Sequence, residues 1–109
     1  MRIAGVVVVP AGTPAFGRAV LRVRLEDVSL ADAPAVTRAE YSGEVFRDDT
    51  GEQHLPFHLD VPAGPDVGGT LNVAAHVDLR GGNRVHRGDL VTTAALPPSP
   101  HMVVSVEPA

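Results

Sequence analysis

Between Leu71 and Leu79 the chain places an apolar residue at every second position: Leu71, Val73, Ala75, Val77 and Leu79. Successive side chains of a strand point to opposite faces, so this spacing predicts a strand with one face on a core and the other in water. The same pattern recurs. Leu21, Val23 and Leu25 alternate with Arg22, Arg24 and Glu26, and Leu55, Phe57, Leu59 and Val61 alternate with Pro56, His58 and Asp60. Met102, Val104 and Val106 make a shorter set. The apolar run from Ile3 to Val9, closed by Pro10, predicts a strand buried on both faces or paired at a sheet rim. Val36 to Val45 is a strand interrupted by Thr37, Arg38, Glu40 and Ser42.

The segments between these strands are turn chemistry. Residues 11–17 hold two glycines and a proline, and Arg47-Asp48-Asp49-Thr50-Gly51 is a turn signal between strands. Residues 62–69 are too rich in glycine and proline for a helix. Gly81-Gly82-Asn83 predicts a hairpin turn leading to Val85 and a strand from Leu90 to Ala95, and Leu96-Pro97-Pro98-Ser99-Pro100 predicts a stiff connector. Pro56 lacks an amide donor, which puts its strand at an edge or on a bulge. No window carries a helical period. Seven to eight short strands at this spacing predict an all-β fold, an antiparallel β-sandwich of the immunoglobulin or transthyretin-like kind. At 109 residues it reads as one domain spanning 1–109.

Composition removes several classes of function. Without cysteine there is no disulfide framework, thiolate metal site or thiol nucleophile. Thirteen acidic residues against nine basic ones give a net charge of −4, and aromatics are 4% of the chain. That leaves neither a basic stripe nor a stacking platform for nucleic acid. No stretch approaches the ~20 apolar residues of a membrane span. The chain as given reads as soluble, either cytoplasmic or a mature envelope domain without its leader.

The polar residues offer few chemistries. His54 and His58 share a strand face but lie ~13 Å apart, too far to chelate one ion. His76 and Asp78 are neighbours on one face at ~7 Å, and a third ligand from His86 or His101 would complete a metal site. Ser29 and Asp32 with a distant histidine supply the letters of a hydrolytic triad, yet no Gly-x-Ser-x-Gly elbow surrounds the serine. Turn capping is the ordinary role of both. Glu26-Asp27 and Asp48-Asp49 are adjacent pairs that point to opposite faces of a strand, unsuited to acid–base work in one cleft. Arg87-Gly88-Asp89 matches a tripeptide read by adhesion receptors and is taken as accidental.

One stretch carries a family resemblance. Leu25-Glu26-Asp27-Val28-Ser29-Leu30-Ala31-Asp32-Ala33-Pro34 resembles the YbaY-like lipoproteins and the related lipoprotein chaperones (pilotins) of type III secretion. Leu55-Pro56-Phe57-His58-Leu59, and Val77-Asp78 followed by Gly82 and a strand to Asp89, agree with it in order, so that the likeness spans roughly residues 18 to 95. The resemblance implies a small β-sandwich, usually anchored to a bacterial envelope by a lipidated cysteine, whose best-understood branch assists assembly or delivery of a secretin. It implies no catalytic residues and no cofactor. In the motif, Leu25, Val28 and Leu30 are expected to plug the core, while Glu26, Asp27, Ser29 and Asp32 satisfy backbone donors at a corner closed by Pro34.

These readings converge on a non-enzymatic sandwich that binds another protein or itself through an exposed sheet edge. The alternative is a small-ligand or metal-binding module using His76, Asp78 or His86.

Overall fold

Eight strands account for the alternating segments in a computed structural model, which describes residues 2–29, 34–61, 70–82 and 84–109. In chain order they are β1 (Arg2–Val9), β2 (Phe16–Asp27), β3 (Val36–Arg47), β4 (Gln53–Asp60), β5 (Leu71–Asp78), β6 (Leu90–Val91), β7 (His101–Ser105) and β8 (Glu107–Pro108). Leu30 and Asp32 of the family motif, the connection 62–69 and Asn83 lie outside the described residues.

The strands form two sheets, one of three strands in the order β4-β1-β7 and one of five in the order β3-β2-β5-β6-β8. The alternating residues meet between them. Leu21, Val23 and Leu25 of β2, Val73, Ala75 and Val77 of β5, Leu55, Phe57 and Leu59 of β4, and Met102, Val104 and Val106 at the chain's end share one hydrophobic core. Both sheets are amphipathic in the two-residue period, and burying their apolar faces against each other is the solution a sandwich provides.

Three expectations change in detail. The apolar run Ile3–Val9 is the central strand of the smaller sheet, and its pairing with β7 is parallel, whereas every other strand pair is antiparallel. The predicted strand Leu90–Ala95 stops after Val91. The Thr92 hydroxyl accepts from the Ala75 amide at 3.3 Å, and the Thr92 amide donates to the Ala75 carbonyl at 3.1 Å. A side chain thus replaces a ladder carbonyl, and the strand ends there. The expected Gly-Gly hairpin is a longer connection over 79–89, in which Gly81 and Gly82 both take positive φ (80° and 82°) and Val85 stands exposed.

Glycine has a packing role at one place in the core. A Cβ on Gly5 would lie 2.5 Å from the Met102 carbonyl oxygen and 2.8 Å from the Phe57 ring. Only glycine lets β7 and the Phe57 ring close on β1 at that level.

Candidate functional site: an open sheet edge and a buried polar cluster

The described part of the family motif lies at the end of β2, where Asp27 and Ser29 share a hydrogen-bonded corner. The Ser29 amide donates to Asp27 Oδ1 at 2.9 Å, and the Ser29 hydroxyl donates to the same oxygen. Ser29 Oγ in turn accepts from the Thr70 amide at 2.9 Å, and Arg38 reaches Asp27 Oδ2 at 3.3 Å. This corner ties the end of β2 to the start of β5 and to β3. These hydrogen bonds hold the Asp27 carboxyl below its ordinary value, with the Ser29 side chain contributing most. Leu25 is fully buried as expected, but Val28 is 36% exposed rather than in the core. The two-residue period that buries Leu21, Val23 and Leu25 puts position 28 on the outer face with Arg22, Arg24 and Glu26, and β2 ends at Asp27 before any turn could redirect it. Pro34 is exposed. Ser29 is committed to this turn, so the serine is a cap.

His76 and Asp78 lie on the outer side of β5, as their spacing predicts, and the residue that joins them is Asp89. Ligand-type atoms of the three lie within 4.8 Å of one another. Asp78 and Asp89 are each only 1% exposed. Asp78 accepts from Arg22 Nη1 at 2.5 Å and from the amides of Arg80 and Gly81 at 3.1 and 2.7 Å. Asp89 takes His76 Nε2 at 2.8 Å, the Leu79 amide at 3.1 Å and the His86 amide at 3.0 Å. Burial pushes the Asp89 carboxyl up, but the hydrogen bonds from His76, His86 and Leu79 outweigh it and hold the group below its usual range.

The other candidate ligands are elsewhere. His86 contributes its amide to Asp89, while its buried Nδ1 has no partner among the described residues. His101 is exposed on β7, in the other sheet. His54 pairs with Glu52, and His58 meets the Tyr41 ring edge-on at 5.3 Å. The Arg87-Gly88-Asp89 tripeptide is closed to a receptor, because its aspartate is buried in the polar cluster. Asp89 and Arg22 escaped the sequence reading because their partners come from other strands. The one signal was a lone aspartate immediately before the apolar pair Leu90-Val91.

The open edge is on the smaller sheet. Ala4 donates to Pro100 O at 3.0 Å and Val106 donates to Val8 O at 3.2 Å, so even-numbered backbone groups of β1 and β7 face each other. Backbone groups alternate sides along a strand. Odd-numbered groups of β1 therefore face β4, and those of His101, Val103 and Ser105 face away from the sheet. Ser99 Oγ covers the His101 carbonyl at 2.8 Å. On the opposite edge, Pro56 sits across from Val6 with its amide-less nitrogen outward, as the sequence predicted for an edge strand.

Other edges carry the usual protection. β3 presents Arg38, Glu40 and Glu44, and the Gln53 side chain caps the Phe46 carbonyl at 3.0 Å. β8 is two residues long and contains Pro108. β7 alone among these edge strands bears neither an acidic or arginine side chain nor a proline. Its Val103 is 69% exposed and lies in a row with Val6 and Pro56. Beside it is a shallow groove of about 340 Å³ lined by Ala4, Gly5, Val6, His101, Met102 and Val103.

The chain is similar to an alternative pilotin from the type II secretion system of Vibrio cholerae, with a TM-score of 0.77 and 23% identity, over 100% of this chain and 96% of that one. The fold is pilotin-like. No protein-family model and no curated protein sequence matches the chain. Among the described residues of this pilotin-like sandwich, no helix is long and apolar enough to cross a membrane.

Proposed function

We propose that this protein is a non-catalytic, chaperone-like binding module that receives an extended segment of another protein along β7. The observation that carries the reading is the β7 edge itself: outward backbone groups at Val103 and Ser105, the exposed side chain of Val103 and an adjoining groove. Strand addition at such an edge draws affinity from main-chain hydrogen bonds and specificity from alternate side chains. The pilotin-like fold and the likeness of residues 25–34 to YbaY-like lipoproteins and type III pilotins support a protein partner. The core shared by both sheets supports reading residues 1–109 as one domain.

Selection of a random peptide display library on the immobilised protein tests this. Enriched peptides are expected to alternate apolar and polar residues. Val103→Pro should weaken them by about tenfold or more while leaving the melting temperature nearly unchanged, since the Val103 amide faces away from β1. Failure to enrich any peptide, or equal binding to Val103→Pro, overturns the reading.

The 4.8 Å cluster of His76, Asp78 and Asp89 supports a second reading, a divalent-cation site. A cation there must displace Arg22 from Asp78. Zinc should then raise the melting temperature in wild type and not in His76→Ala, and an unchanged melt in both excludes it.

A further inference from the structure

The nine basic residues of the chain are all arginines, and they divide into two groups. Arg2, Arg18, Arg22, Arg24 and Arg38 each face a carboxylate, and buried Arg47 donates twice to the Thr13 carbonyl. Arg80, Arg84 and Arg87 remain. All three are exposed on the single connection 79–89 and have no carboxylate partner among the described residues. The two acids that bracket them, Asp78 and Asp89, are buried and filled by Arg22, His76 and backbone amides. In a protein of net charge −4, this loop carries the opposite sign without local compensation.

The loop is also held in place. The Arg80 and Gly81 amides bind Asp78, the His86 amide binds Asp89, and Gly81, Gly82 and Gly88 supply the positive φ angles its turns need. Its position follows from the register. Asp78 lies opposite Val20, Leu90 lies opposite Pro108, and the Ala109 amide donates to the Asp89 carbonyl at 2.8 Å. β7 runs into β8 through Val106, and the four residue-to-residue steps from Ser105 to Ala109 span at most ~14 Å. The cationic loop therefore stands at the end of the molecule where the open β7 edge finishes.

We infer that the segment received along β7 carries a cluster of acidic residues at one end, engaged by Arg80, Arg84 and Arg87. This rests on the proposed edge-binding function and names the partner's chemistry. Guanidinium groups pair carboxylates bidentately, and an exposed cationic patch beside a main-chain docking edge fixes direction and register and speeds encounter. The low aromatic content argues against a nucleic-acid occupant for the same cations.

The experiment sequences the peptides enriched on wild type and on a variant carrying Arg80→Gln, Arg84→Gln and Arg87→Gln, with both melts recorded to confirm folding. Wild-type binders should show aspartate or glutamate clustered at one end, and should bind the variant about tenfold or more weakly at low salt, with the difference shrinking as salt rises. Alternating peptides without acidic bias that bind both proteins equally overturn this inference and leave the edge reading standing. Acid-rich peptides that bind Val103→Pro as well as wild type separate the loop from the edge and overturn the combined site. Binding to phosphatidylglycerol vesicles that the triple variant loses, with no acidic bias among peptides, assigns the loop to a lipid surface and overturns it too.

Discussion

The outer face of the five-stranded sheet is crossed by ion pairs, Arg24 to Glu40, Arg22 to Asp78 and Arg18 to Glu44, whereas that of the three-stranded sheet carries Val6, Val8 and Val103 among histidines. Both sheets spend their inner faces on the same core. The difference lies in what each offers to water. Cross-strand charge pairs keep the wide sheet solvated, and the charges on β3 discourage another strand from adding there. Among the described residues the outer face of the narrow sheet has one arginine–carboxylate pair, the long and exposed Arg2–Asp60, and β7 has no acidic or arginine gatekeeper. Under the proposed function, the contrast gives stability to one sheet and recognition to the other.

The largest test of that contrast is Leu25→Ala, at a fully buried position of β2. It should cost about 2–4 kcal/mol in denaturant unfolding. A change under ~0.5 kcal/mol would mean that the wide sheet does not anchor the fold.

Next comes Asp89→Asn, which removes a buried charge from three donors and should cost roughly 1.5–3 kcal/mol. Its pH dependence has a definite sign. The folded carboxyl titrates below the ordinary aspartate value of 3.8, so its contribution is complete above that value and is lost as pH falls through the lowered one. Stability measured on the acid limb should therefore fall less steeply in Asp89→Asn than in wild type. Parallel curves would show that the cluster does not couple protonation to folding.

Gly5→Ala examines the narrow sheet. The new methyl meets the Met102 carbonyl and the Phe57 ring, and about 1–3 kcal/mol should be lost. The peptides bound along β7 should weaken with it, because β7 must shift to make room. The smallest effect belongs to Glu40→Ala, within about 0.2–1 kcal/mol and diminishing with added salt, since its pair with Arg24 is partly exposed. A larger and salt-independent loss would give the outer ion pairs more weight than this comparison assigns them.

How much of this was legible in sequence depends on the range of the interaction. The strands through Leu21, Leu55 and Leu71 announce themselves because a two-residue alternation is a local property that the core then ratifies. The Asp27–Ser29 cap was legible for the same reason: its partners are two residues apart. The short β6 was not, since Thr92 ends it by reaching Ala75 on another strand. Nor was Asp89 as the partner of His76. Its donors lie on β5 and in the preceding loop, and only the β5–β6 pairing brings them together. The open edge was half legible: Pro56 marks β4 as a rim, but nothing in residues 101–105 reveals that their only strand neighbour among the described residues is β1.

The parallel pairing of β1 with β7 sets an order in time. Ala4 lies beside His101, so β1 leaves a ribosome long before its second neighbour is made. Until then β1 can hold only β4, and the side that β7 will occupy stays bare. Contacts this distant in sequence close slowly. During synthesis the molecule is thus a nascent sheet missing one strand, and β1 then presents to its surroundings the kind of unpaired edge that β7 presents afterwards.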